Sequence, residues 1–120
     1  VYNNEELIFS SGLINNNQNL NLSDENLLIF TSFLYDENNN LTHNVTQVDS
    51  MANYSLLPYQ SRYKYYNISL PSELEGDLLV TAKLLFRSFS PHFILQHHPE
   101  FIENLPIFEV DSISQTITVE

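Results

Sequence analysis

Cysteine is absent from this chain of 120 residues. Without it there is no disulfide framework, no thiolate metal site and no CxxCH attachment point for a c-type haem. The absence does not fix a compartment, because many secreted bacterial proteins also do without disulfides. Basic residues are scarce: four Lys plus Arg face fifteen Asp plus Glu, a formal net charge of -11. A surface of that sign repels phosphate backbones and anionic lipid, so nucleic acid is not an expected partner. The longest apolar runs, such as "NLLIFTSFLY", fall well short of the ~20 residues a spanning helix needs, so membrane insertion is not expected either. No signal peptide pattern opens the chain, which starts at Val1 rather than Met and reads as a processed or excised piece. A GxSxG elbow, a phosphate loop and an HExxH helix are all missing, and a sandwich brings a nucleophile beside a base only through long-range contacts that a sequence does not reveal, so catalysis has no positive support and an enzyme is not expected.

Tryptophan is also absent and glycine occurs only twice, yet seven Tyr, eight Phe and a 42% hydrophobic content are those of a packed protein. The length suits one domain spanning residues 1–120, burying roughly two-thirds of the surface its unfolded chain exposes. Asparagine, dense in "NNNQNLN" and "DENNN", takes over the turn work of glycine because its short side chain tolerates the left-handed region. An AT-rich genome is the other source of so much Asn. Five Asn-X-Ser/Thr sequons, at Asn21, Asn40, Asn44, Asn53 and Asn67, matter only if the host glycosylates.

Helical periodicity is weak, and short extended runs alternate with turn-rich segments, the pattern of an all-β chain. The reading is an antiparallel, immunoglobulin-like β-sandwich of six or seven strands. "EELIFSS" makes the first strand, stopped by Gly12, and the polar loop "NNNQNLNLSDEN" follows as the most mobile part. "NLLIFTSFLYD" is apolar on both faces, as a strand covered on both sides should be. The turn "DENNN" leads into a strand "LTHNVTQVD" that carries His43, and a Pro58-led strand runs through "SLLPYQSRYKYYNISLP". "GDLLVTAKLLFR" alternates most clearly, with Leu78, Val80, Ala82, Leu84 and Phe86 inward and Thr81, Lys83 and Arg87 outward. Pro residues punctuate "SPHFILQHHPEFIENLP", which predicts a short helical excursion over residues 92–104 that lids one end of the sandwich. "IFEVDSISQTITVE" closes the sheet.

Four histidines, His43, His92, His97 and His98, are the strongest nitrogen ligands for a metal. On a helix, adjacent His97 and His98 point about 100° apart and do not grip one ion together; surface or capping roles are the alternative for all four. No metal site is assigned. "DENNN" sets oxygen atoms at Asp36, Asn38 and Asn40 in the alternation of a calcium loop's opening, but it lacks the turn glycine and the far bidentate Glu, so a plain turn is the better reading.

"ELIFSSG", "FLYDENNNLTHNVTQVD", "LLPYQSRYKYYNISLP", "LLVTAKLLFRSFSPHF" and "NLPIFEV" stand in an order that resembles the C-terminal β-sandwich region of bacterial and archaeal multihaem c-type cytochromes. The most specific part is the corner at residues 84–91, with its L-x-x-R-x-F-x-P spacing. The CxxCH sites that precede the sandwich in that family are missing, so the chain looks like the carboxyl-terminal part of a larger cytochrome, cleaved or separately encoded. The resemblance implies a non-catalytic domain of an extracellular, cell-surface or periplasmic electron-transfer complex or filament. Its expected partners are a multihaem cytochrome chain or neighbouring copies of the same assembly. Haem c is then held by the partner, and His43 approaches that haem as an axial ligand. A different class stays open beside it: an adhesion or ligand-binding module for glycans or calcium, with Tyr59, Tyr63 and Tyr65 as a stacking platform.

Overall fold

The computed structural model describes residues 1–14 and 19–119. Part of the polar loop singled out above, residues 15–18, therefore lies outside the described residues. The chain is mostly β, with two antiparallel sheets and little helix, and it divides into two compact units, Val1–Glu25 with Tyr66–Glu120, and Asn26–Tyr65.

The larger unit holds a sheet of β1 (Tyr2–Asn3), β2 (Glu6–Leu7), β5 (Gly76–Phe86) and β6 (Phe108–Val119), in the order β2-β1-β5-β6. Asn4 and Glu5 join β1 to β2 with φ of 45° and 74°, the doubly left-handed turn that matches the twist of a two-residue hairpin. The first strand is thus shorter than "EELIFSS" predicts, because the chain turns back on itself after two residues. β1 pairs only with Leu78 and Leu79 of β5, and the Asn3 side chain fastens the join by donating to the carbonyls of Glu75 and Asp77 at 3.1 and 3.3 Å.

β5 and β6 run antiparallel along their whole length, from Gly76↔Val119 to Phe86↔Phe108, with one irregularity between Leu84 and Leu85. There Leu84 faces Asp111 and Leu85 faces Glu109, which leaves Val110 as the extra residue of a bulge. Between the two strands lie α1 (Pro91–His97) and the 3-10 turn Pro99–Asn104, where the Pro spacing predicts the excursion. Ser90 caps α1 by accepting from the Phe93 N–H at 3.1 Å, and Pro91 sits at the first helical position, where its missing N–H costs nothing. Pro99 stops the α-helix and restarts the chain as a 3-10 turn. Among the described residues the buried side chains are Leu78, Pro91, Ile94 and Leu105, all in this unit.

The smaller unit pairs β3 (Ser32–Tyr35) with β4 (Ser50–Asn53), Ser32 opposite Asn53 and Tyr35 opposite Ser50. Here the expected strands are cut short. Of "NLLIFTSFLYD" only Ser32–Tyr35 pairs, since β4 offers four partners. "LTHNVTQVD" makes a single bridge at Leu41 and then a 3-10 turn, Val45–Gln47. Thr42 and Asn44 explain the departure: the Thr42 hydroxyl accepts from the Asn44 N–H at 3.1 Å, and Asn44 Oδ1 accepts from the Thr46 N–H and hydroxyl at 3.1 and 2.7 Å. Side chains that satisfy the local backbone in this way compete with a ladder.

The segment after Pro58 forms no strand; Tyr59 takes a φ of 64°, which breaks an extended run. Arg62 holds it instead. Its guanidinium donates to the carbonyls of Ile29, Tyr54 and Ser55 at 3.2, 2.7 and 3.2 Å and lies 5.2 Å from the Phe30 ring centre. A planar fork can bridge three carbonyls while stacking on an aromatic face; an ammonium cannot.

Two substitutions separate core from surface in urea unfolding. Leu78→Ala, at a side chain only 5% exposed, is expected to cost about 2–5 kcal/mol. Val110→Ala, at the exposed bulge, is expected to stay within about 0.5 kcal/mol; equal losses at both positions would contradict the burial described.

Candidate docking surface

The register of β5 and β6 sorts their side chains onto two faces. One face is polar. Thr81 and Ser114 share a hydroxyl hydrogen bond at 2.9 Å, Thr118 donates to Asp77 Oδ1 at 2.8 Å, and Lys83 Nζ meets Glu109 Oε2 at 2.7 Å. The Lys83 hydrogen bond, with help from Ser112, holds the Glu109 carboxyl below the usual glutamate range.

The opposite face is mainly apolar: Leu78 opposite Ile117, Val80 opposite Gln115, Ala82 opposite Ile113, Leu84 opposite Asp111, and Phe86 opposite Phe108, whose rings are 6.4 Å apart. This is the face that the alternation of "LLVTAKLLF" assigns to the interior. Leu78 is buried and Val80 half-buried, but Leu84, Phe86, Phe108, Ile113 and Ile117 are exposed. The alternation is real; its cover is missing from the unit.

The sheet order also leaves β6 at an edge, and among the described residues no strand pairs with its outer side. An unpaired strand of this length is ordinarily protected by Lys, Pro or a bulge. β6 has neither Lys nor Pro, and its bulge lies near its start, so residues 112–119 form an uninterrupted, uncharged run.

The residues expected to bear chemistry are scattered. His43 lies in a loop between the bridge at Leu41 and the Val45–Gln47 turn, rather than within a strand, and is half-buried with Nε2 shielded from solvent. His92, His97 and His98 are exposed on or beside α1. His97 packs against Phe93 with ring centres 4.6 Å apart, and His98 Nδ1 stands 3.3 Å from Glu100. Among the described residues no group of three or more His, Cys, Asp and Glu is placed to hold a metal ion. The chain, having no cysteine, attaches no haem covalently. At the corner after β5, Arg87 is half-buried and burial lowers its pKa from the ordinary value, Phe89 stacks on Phe93 at 5.5 Å, and Pro91 is buried.

Tyr59, Tyr63 and Tyr65 stand 107%, 78% and 86% exposed, so all three rings are open to solvent. Among the described residues no helix is long and apolar enough to cross a membrane. Comparisons with known protein families, with curated proteins and with solved structures found no match.

The "DENNN" turn is closed by its own carboxylate. Asp36 Oδ1 accepts from the N–H groups of Asn38 and Asn40, both at 2.9 Å, and Oδ2 from the Asn40 amide at 3.4 Å, while Asn39 takes a φ of 60°. The Asn40 backbone bond is the chief cause that holds the Asp36 carboxyl below the usual aspartate range. A folded-state pKa lowered in this way adds stability above the unfolded value, and that stability is lost as pH falls through the folded one. Carboxyl-carbon NMR is expected to show Asp36 titrating below an unstructured aspartate, with the Asn38 and Asn40 amides shifting in step. Calcium is expected to leave those amides unmoved; a saturable shift would make the loop an ion site.

Proposed function

We propose that this chain is a non-catalytic, immunoglobulin-like β-sandwich domain that packs against a multihaem cytochrome and helps assemble an extracytoplasmic electron-transfer complex or filament. The observation that carries this reading is the apolar face of the β5–β6 ribbon, patterned as an interior and left open. Fully burying a side chain the size of Leu, Ile or Phe is worth about 1.5–3 kcal/mol, so a partner covering Leu84, Phe86, Phe108 and Ile113 has a substantial driving force. The order of segments, from "ELIFSSG" to "NLPIFEV", supplies the identity of that partner.

In this reading the haem belongs to the partner, and the domain scaffolds and insulates. Axial ligation by His43 is a narrower part of it. With Nε2 shielded, ligation requires the imidazole to swing outward from its loop when the partner binds.

A haem-stained native gel and a visible spectrum of the complex that contains this chain test the reading. A low-spin haem spectrum co-migrating with the chain is expected, and a complex without haem overturns it. His43→Ala is expected to alter that spectrum if His43 ligates; an unchanged spectrum removes the ligand and leaves the scaffold.

The three exposed tyrosines favour a second reading, a glycan-binding module in which Tyr59, Tyr63 and Tyr65 stack on sugar rings. It is expected to survive in the isolated chain, as saturable quenching of tyrosine fluorescence by an oligosaccharide that Tyr63→Ala with Tyr65→Ala abolishes. Quenching by no oligosaccharide would remove it.

A further inference from the structure

The outer edge of β6 carries a feature that the assembly reading does not use: it is complementary to itself. We infer that two copies of this chain pair edge to edge through β6, antiparallel, about a two-fold axis that passes between the two Gln115 residues. The inference rests on the assembly reading, since it names neighbouring copies as the partners of that edge.

The register follows from like meeting like. With Gln115 facing its own copy, Ile113 lies opposite Ile117 of the second copy, Ser114 opposite Thr116, and Ser112 opposite Thr118. The two isoleucine pairs flank the central Gln115 pair on the face that carries Leu78 and Ala82, so the apolar side chains of that face continue across the seam. The hydroxyl pairs fall on the polar face. Cross-strand pairs of these kinds, β-branched on β-branched and hydroxyl on hydroxyl, are the stabilising unit of an antiparallel sheet.

Charge decides between a second copy and a foreign strand. Residues 112–119 carry no charged side chain, so a basic strand drawn to this acidic protein would find no carboxylate along the seam. The net charge of -11 does not forbid self-pairing either. In this register Asp111 faces Val119 of the second copy, and the two Asp111 residues stand eight positions apart along the strand. At a rise of about 3.4 Å per residue that is roughly 27 Å, several times the Debye length of about 8 Å in physiological salt. Repulsion between the two Asp111 carboxylates is screened, while backbone groups of the edge gain partners.

The chain's lack of cysteine makes the test specific. Facing residues of antiparallel strands have Cα atoms about 4.5–5.5 Å apart, inside the range a disulfide spans. Gln115→Cys is therefore expected to cross-link two chains under mild oxidation. Ser114→Cys, one residue away on the same edge, stands about 8 Å from its own copy by strand spacing and rise, beyond the reach of a disulfide, and is expected to cross-link at least tenfold more slowly. Sedimentation equilibrium of the unmodified chain is expected to show a concentration-dependent dimer, with circular dichroism confirming that both variants keep the fold.

A monomer at every concentration, or Ser114→Cys cross-linking as fast as Gln115→Cys, overturns the pairing. Haem staining of the native complex keeps the two proposals apart. A monomer that still migrates with haem overturns the self-pairing alone. A dimer whose native complex lacks haem overturns the cytochrome reading and leaves the self-pairing standing.

Discussion

The backbone ladder between β5 and β6 is the constraint on which the larger unit depends. Its residues are far apart in sequence, so closing it brings the intervening Pro91–His97 and Pro99–Asn104 turns back to one end and fixes which side chains share a face. β1 then needs only two residues of pairing, because Asn3 reaches the carbonyls on either side of Gly76. Those carbonyls are presented together because Gly76 adopts a φ of 92°, a conformation open to glycine and costly for other residues. In the smaller unit the corresponding role falls to Arg62, which replaces a strand with three charge-assisted hydrogen bonds.

The ribbon's two faces are stabilised by different means. The polar face is complete within the chain: hydroxyl, carboxylate and ammonium groups meet across the strands, each partner supplied by the opposite strand. The apolar face is complete only around Leu78. Farther along, the same alternation of apolar side chains runs on into solvent. Hydrophobic stabilisation depends on area removed from water, so the exposed stretch contributes little to the isolated unit and a good deal to whatever covers it.

The parts of the fold that were legible in the sequence are those governed by local rules. The alternation of "GDLLVTAKLLFR" and "ISQTITV" gives β5 and β6, and Pro91 and Pro99 give the helical excursion its start and its interruption. What failed were strands whose apolar residues carry no instruction about pairing. "LLIF" and "LTHNVTQVD" have the composition of strands, but Arg62 takes the Ile29 carbonyl in the first, and the Thr42 and Asn44 side chains satisfy the backbone of the second. His43 shows the same limit at the candidate site. Its setting between Thr42 and Asn44 looks like a strand, whereas those two side chains cap the local backbone and hold it in a loop. The exposed face was legible only by half: alternation reveals that a face is apolar, and no local pattern reveals whether its cover lies in the same chain.

The distribution of charge acts against the open apolar face of this acidic chain. A protein with so much exposed Leu, Ile and Phe risks indiscriminate association. Excess carboxylates oppose it, because close approach over most of the surface sets like charges against each other. The exception is the edge of β6 from Ser112 to Val119, where the side chains are neutral. Repulsion elsewhere and neutrality here together narrow the approaches that succeed, and specificity of this kind comes as much from the contacts that are forbidden as from those that form. A lysine on that edge would have protected it as edges are commonly protected; its absence from a strand of twelve residues is the sequence feature that most sharply separates β6 from an ordinary sheet boundary.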